Sequence, residues 1–180
     1  MTQPFEINAL EARQLIGNKK LSPVELVKSC IEQIEKLNPS INAVVAINHD
    51  DVIKDAQKAE DDVMSGNELG ILHGLPVGIK DLNLVKNLRS TSGSKLYENR
   101  VPKDDDSVVK SIRHEGAIIF CKTNTPEFGA GANTKNKVYG TTCNPFDLTK
   151  TPAGSSGGSS AALATNTVSY THLRAHETKP

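Results

Sequence analysis

Two short segments constrain this chain more than anything else in it. Leu75-Pro76-Val77-Gly78-Ile79 and Ala117-Ile118-Ile119-Phe120-Cys121 are apolar throughout, and each is followed at once by a lysine, Lys80 or Lys122. A strand with no polar parity has no face to offer water. It belongs in a sheet covered on both sides by helices, which makes the chain α/β. In such sheets functional groups collect just past the carboxyl ends of the strands. Lys80 and the Lys122-Thr123-Asn124 segment stand at that position.

The surrounding sequence supplies the helices. Asn8 followed by Glu11 reads as an amino-terminal cap, with Gly17 as the stop. Ser22-Pro23-Val24-Glu25 is a stronger start, combining a cap serine, proline at the first helical position and an acidic third residue. Val24, Val27, Ile31, Ile34 and Leu37 then recur at helical spacing. Asn38-Pro39 is expected to end that helix, because proline disfavours helical geometry in the residue before it. Residues 41–47 read as a strand. Residues 50–65, with Ile53, Ala56, Ala59 and Val63 on one face and Gly66 after them, read as a further helix. Asp106-Ser107 is expected to cap a helix that runs through His114, with the Asp104-Asp105-Asp106 run as a solvated turn rather than a cation site. Residues 159–164 read as a small-residue helix.

Between them, residues 125–158 show little periodicity and hold Pro126, Gly129, Gly131, Gly140, Pro145, Pro152, Gly154, Gly157 and Gly158. Structureless segments of this length inside a compact domain are usually functional or disordered. Phe128, Val138, Tyr139, Phe146 and Leu148 speak against a floppy linker. The densest part is Pro152-Ala153-Gly154-Ser155-Ser156-Gly157-Gly158-Ser159-Ser160-Ala161-Ala162. A Gly/Ser loop opening into a helix exposes N–H groups and hydroxyls suited to an anion or a developing oxyanion. A flexible Gly/Ser linker is the competing reading. No lysine follows these glycines as a phosphate loop requires. Gly129-Ala130-Gly131 begins like a dinucleotide fingerprint, but Thr134 stands where the third glycine belongs.

Composition excludes several classes. The 21 Lys+Arg and 21 Asp+Glu give a formal net charge of zero, so no global field draws in nucleic acid or an anionic membrane. With no Trp, four Phe and three Tyr, base-stacking platforms are not expected. Cys30, Cys121 and Cys143 are too few and too scattered for a disulfide framework or a metal knuckle. They read as reduced thiols of a cytoplasmic protein, and neither Cys121 nor Cys143 has a matched histidine. Residues 1–8 carry no signal-peptide pattern, and no apolar run approaches the roughly 20 residues that span a bilayer. His172 and His176 lie four apart but lack the glutamate of a metalloprotease motif and any third ligand, so no metal site is expected.

Four blocks, in this order, carry a resemblance. They are Gly74-Leu75-Pro76-Val77-Gly78-Ile79-Lys80-Asp81, Lys122-Thr123-Asn124-Thr125-Pro126-Glu127-Phe128-Gly129, Asn144-Pro145-Phe146-Asp147, and residues 152–162. Together they resemble the amidase signature family over roughly residues 5–168. The pairing of the Gly-Ile-Lys-Asp block with the Gly/Ser block is the specific part. The resemblance implies the amino-terminal part of a three-layer α/β/α fold with a mixed central sheet. It also implies a Ser–Ser–Lys amidohydrolase with Lys80 as catalytic lysine and Ser155 as the middle serine, preceded by a cis peptide. Burial would lower the pKa of such a lysine and fit it to act as a base. Gly129, Ala130, Gly131 and Ser156 are implied to bind substrate, and Glu127 either shapes the cleft or makes a structural hydrogen bond. The implied substrate is a small amide, without cofactor or metal. The implied partners are a second copy of the chain or the other subunits of a tRNA-dependent amidotransferase, in which this chain would be the glutaminase.

The family pattern then continues through an apolar strand to a Thr-Gly-Gly-Ser turn that carries the nucleophile and oxyanion donors. After Thr167-Val168 this chain reads Ser169-Tyr170-Thr171-His172-Leu173-Arg174-Ala175-His176-Glu177-Thr178-Lys179-Pro180, with no apolar strand and no such turn. The expectation is a truncated domain over 1–168. Residues 169–180 form a non-matching tail that resembles translated read-through rather than native sequence. Such a piece is expected to be inactive. A non-catalytic binding module and a fragment without function are the rival readings, and a fragment would leave a sheet edge uncovered.

Overall fold

In the computed structural model, residues 3–172 are described. After a 3-10 turn at Pro4–Glu6 come helices α1 (Ala9–Gly17) and α2 (Pro23–Ile41), strand β1 (Val44–Ala46), helix α3 (His49–Ser65) and strand β2 (Pro76–Lys80). Helix α4 (Ser107–His114), strand β3 (Ile118–Thr123), the short ribbon β4 (Lys135–Asn136) and β5 (Gly140–Thr141), helix α5 (Gly157–Ala164) and strand β6 (Tyr170–His172) follow. Further 3-10 turns lie at Lys95–Tyr97 and Glu127–Gly129. The main sheet has the order β1-β3-β2-β6. β2 runs parallel to β3 and β6, and β1 runs antiparallel to β3, so the sheet is mixed.

Every residue of β2 and β3 is buried, as their apolar parity requires. One apolar cluster joins Ile118 and Cys121 to Ile16, Leu26, Val27, Ala56, Ala161 and Ala162, which come from α1, α2, α3 and α5. A second joins Val77, Ile79 and Ile119 to Val85, Val109 and Ile112 of the following segment and α4. The sheet is thus sandwiched, and the α/β class is met. Local signals position the helices as read. Asn8 accepts from the Glu11 N–H at 3.0 Å, and Ser22 accepts from Val24 and Glu25 at 3.0 and 3.2 Å.

Three local expectations are corrected. Helix α2 does not stop at Asn38 but runs through Pro39 to Ile41. Proline here forfeits only the bond to the exposed Glu35 carbonyl, in the last turn. The Asn38 side chain holds that turn closed. Its Oδ1 accepts from the N–H groups of Ala43 and Val44 at 2.9 and 2.8 Å, and its Nδ2 donates to the Val44 carbonyl at 2.8 Å. Asp106 precedes α4 but makes no side-chain cap bond. Its carboxylate instead accepts from the Leu84 N–H at 2.8 Å, while Asp105 accepts from the Lys86 N–H at 2.7 Å and from Arg113 Nε at 2.8 Å. The acidic run is therefore a tie between α4 and the chain leaving β2. Finally, β6 forms where no strand was expected, with Val77 paired to Tyr170 and Ile79 to His172. Its residues are not apolar, but ladder hydrogen bonds come from the main chain, and β2 offers an edge that needs them. His176 of the histidine pair lies outside the described residues.

A charge is buried near the end of β3, and thiols are buried in α2 and within β3. Burial pulls the Lys122 ammonium down to about 8 from its ordinary 10.5, against the upward pull of Asp81 and Asp106; Arg100 adds to the fall. Burial pushes the Cys30 thiol up to about 12 and raises that of Cys121 as well. Between pH 8 and 10.5 the unfolded chain therefore holds a proton at Lys122 that the folded chain has released, and stability rises with pH. Above the ordinary thiol value of 9.0 the unfolded chain loses thiol protons that the folded chain keeps, and stability falls. The urea midpoint should climb from pH 8 to 9 and then turn down. Lys122→Met should flatten the climb, and Cys30→Ala with Cys121→Ala should remove the descent. Separately, Asn38→Ala leaves three main-chain groups without their partner. It should cost about 1–3 kcal/mol, read as a lower urea midpoint at unchanged slope.

Candidate active site

Lys80 closes β2, and its side chain is 1% exposed. Its Nζ donates to Ser155 Oγ at 2.7 Å and to Ser156 Oγ at 2.9 Å, across separations of 75 and 76 residues. The two serines end the loop that enters α5, and the Gly154–Ser155 peptide is cis. Ser156 is the residue before the first turn of α5, yet its hydroxyl caps no N–H there; it turns to Lys80 instead. An amine bonded to two hydroxyls at the start of a helix can exchange protons with either. The positive end of the helix dipole favours negative charge nearby.

The sheet and the loop are locked together around this meeting point. Lys80 stands opposite Thr123 in the parallel ladder, and Thr123 Oγ1 lies 2.6 Å from Ser159 Oγ in α5. Helix α5 approaches the β3 end so closely that a Cβ on Gly158 would stand 2.3 Å from the Asn124 nitrogen; only glycine fits. The Gly157 N–H donates to Thr134 Oγ1 at 3.0 Å. Thr134 in turn donates to the Ala153 carbonyl through its hydroxyl at 2.9 Å and its N–H at 3.1 Å. Thr125 Oγ1 donates to the Ser155 carbonyl at 3.3 Å. The chain is therefore pinned just before and just after Ser155.

A second layer of amides fixes those pinning groups. Asn136 Nδ2 donates to Asn124 Oδ1 at 2.7 Å and to the Thr125 carbonyl at 2.8 Å. Asn124 Nδ2 donates to Thr142 Oγ1 at 2.9 Å, and Thr142 Oγ1 donates to the Asn42 carbonyl at 2.7 Å. Apart from the short β4–β5 ribbon, the irregular 125–158 segment is thus ordered by side-chain hydrogen bonds. The sequence marks Asn124 only as a strand-end group, and Thr134 only as the residue that spoils a dinucleotide fingerprint. No local pattern marks either one, because the partners that bury them lie elsewhere in the chain.

The loop of Gly129, Ala130 and Gly131 comes to the same place. Gly129 has φ +70° and sits so close to Leu82 that a Cβ would stand 2.6 Å from Leu82 Cδ1. The Gly131–Ala132 peptide lies against Gly154, 3.0 Å from where a Cβ there would be. Ala130 and Gly131 face solvent. Glu127 Oε1 accepts from Ser94 Oγ at 2.7 Å, which is the structural bond foreseen as one of its two roles. Cys121 is wholly buried with a raised thiol pKa, unsuited to nucleophilic attack. Among the described residues, no helix is long and apolar enough to cross a membrane.

Comparison with known proteins places this geometry. A family model described as Amidase matches residues 25–172. A Glutamyl-tRNA(Gln) amidotransferase subunit from Gloeothece citriformis is 39% identical over 154 residues, covering 86% of this chain and 32% of its own length. Its counterpart from Fusobacterium nucleatum is 39% identical over 164 residues, covering 91% and 34%. Among solved structures, a bacterial aryl acylamidase of the amidase signature enzymes has a TM-score of 0.84 at 33% identity, covering 90% of this chain and 34% of that one. The peptide amidase of Stenotrophomonas maltophilia has a TM-score of 0.84 at 27% identity, covering 91% and 35%. This chain spans about a third of the length of the curated relatives it matches. With the Lys block, the Gly/Ser block and the mixed sheet all present in one chain that these comparisons match, the chain belongs to the amidase family.

Proposed function

We propose that this segment supplies the base and the proton relay of a carboxamide hydrolase. The observation that carries the reading is the 2.7 Å contact between Lys80 Nζ and Ser155 Oγ. In the reaction we infer, a serine oxygen attacks the amide carbonyl carbon. Its proton passes to Ser155, and that of Ser155 passes to Lys80. The C–N bond breaks as the leaving nitrogen takes a proton back along the same path. Water then cleaves the acyl-serine, so that one amide and one water yield a carboxylate and an amine. The attacking serine is the one the family places in a Thr-Gly-Gly-Ser turn, a sequence that does not occur in these 180 residues. Residues 1–168 carry this proposed hydrolase segment, and β6 extends its sheet beyond them. Gly129, Ala130, Gly131 and Ser156 line the substrate side of the relay, the substrate is a small amide, and the setting is cytoplasmic.

A second reading has its own support. The two curated relatives described above are amidotransferase subunits, whereas the solved neighbours are amidases. On that reading the amide is glutamine, and the ammonia released passes to partner subunits. Glutaminase activity that rises on addition of those subunits would favour it over general amide hydrolysis by the chain alone or as a homodimer.

In a full-length enzyme carrying this segment, Lys80→Ala and Ser155→Ala should each lower kcat/KM for an aryl amide by about 10³-fold or more. Ser156→Ala should lower it less, since its hydroxyl is the second partner of the amine. The 180-residue chain alone should release no amine above background. Full turnover by a Lys80→Ala enzyme would overturn the assignment.

A further inference from the structure

Lys122 takes no part in the proton relay, yet its side chain is 0% exposed. Alternation along the paired strands decides where it points. Lys80 stands opposite Thr123, whose hydroxyl meets Ser159 of α5. Ile79 stands opposite Lys122 and packs in the apolar cluster that holds Val109 and Ile112 of α4. The two lysines therefore leave the sheet on opposite faces. From the α4 face the Lys122 ammonium reaches under the end of β2. It donates to the Asn83 carbonyl and lies 3.6 Å from Asp81 Oδ1.

Asp81 is the residue directly after Lys80 and is also wholly buried. Its N–H donates to the Thr123 carbonyl at 2.9 Å, one step beyond the last ladder pair. Its carboxylate accepts from the Thr91 N–H at 3.0 Å and from the Thr91 hydroxyl at 2.7 Å. The chain then turns back, with the N–H groups of Leu82 and Asn83 both donating to the Lys80 carbonyl. The backbone carrying the catalytic-candidate amine is thus gripped on its carboxyl side by Asp81 and Asn83, and Lys122 bridges the two.

A buried ion pair is a weak source of stability, because desolvation offsets most of its attraction. This pair contributes geometry. A lysine has four rotatable methylenes, so the Nζ position depends on how firmly its own backbone is fixed, and a misplacement of about 1 Å can cost about 10²-fold in rate. We propose that Lys122 is a positioning residue for Lys80, holding the end of β2 through Asp81 and Asn83 so that the Lys80 amine meets the Ser155 hydroxyl. The inference rests on the hydrolase reading given above.

The test compares Lys122→Met, Asp81→Asn and, as a control that trims the same face without touching the clamp, Val109→Ala. In the full-length enzyme, the first two should lower kcat about 10- to 100-fold with KM within about twofold, while Val109→Ala leaves kcat within about twofold. In the 180-residue chain, amide hydrogen exchange at Asp81, Leu82 and Asn83 should quicken about tenfold or more in Lys122→Met and stay unchanged in Val109→Ala. If Lys122→Met does not fold, Asp81→Asn carries both readouts. Unchanged kcat and unchanged exchange in a folded Lys122→Met or Asp81→Asn protein would overturn the positioning role. Turnover that survives Lys80→Ala would instead overturn the hydrolase reading, leaving the exchange result to judge the clamp.

Discussion

A lysine amine placed almost wholly out of water is the constraint around which the rest of this structure is arranged. An unpartnered ammonium or amine at that depth carries a desolvation cost larger than most single interactions can offset. The Ser155 and Ser156 hydroxyls meet that cost at 2.7 and 2.9 Å, and they can do so only if a loop 75 residues away is delivered to the end of β2. Much of what is unusual in the second half of the chain follows from that delivery. Gly157 and Gly158 let α5 press against Thr134 and the Asn124 backbone, and Thr134 and Thr125 hold the chain on either side of the serines.

The sheet separates two tasks by face. On the α5 side lie the amine, the hydroxyls and the helix start, which are the groups able to move protons. On the α4 side lie Lys122, Asp81 and Thr91, buried and mutually bonded, fixing the point at which β2 leaves the sheet. Strand alternation makes this division automatic, since neighbouring residues point to opposite faces. Lys80 and Asp81 are adjacent in sequence and serve different sides. The acidic residues Asp105 and Asp106 extend the second task by tying the chain after β2 to α4.

The order of motifs and the type of most elements were legible in the sequence. Asn8, Ser22 and Gly66 mark helix ends through bonds or backbone conformations that are local. The apolar runs before Lys80 and Lys122 mark strands because period and burial are local properties too. At Pro39, Asp106 and Tyr170 the structure departs from local preference for one shared reason. At each, a contact made by another residue overrides an intrinsic preference: the Asn38 side chain closing on Val44, the Leu84 N–H claiming the aspartate, and the open edge of β2 recruiting a polar strand.

What the amino-acid order determined by itself, then, was the set of chemical groups and the local shapes that present them: a strand ending in Lys80, and a Gly/Ser loop that carries Ser155 and Ser156 and opens into a helix. Which groups would touch was decided only in three dimensions. Thr134 beneath Gly157, Asn136 behind Asn124 and Lys122 under Asp81 depend on strand register and on close approach at particular glycines. Neither is encoded in spacing, because a hydrogen bond between residues far apart has no period to read.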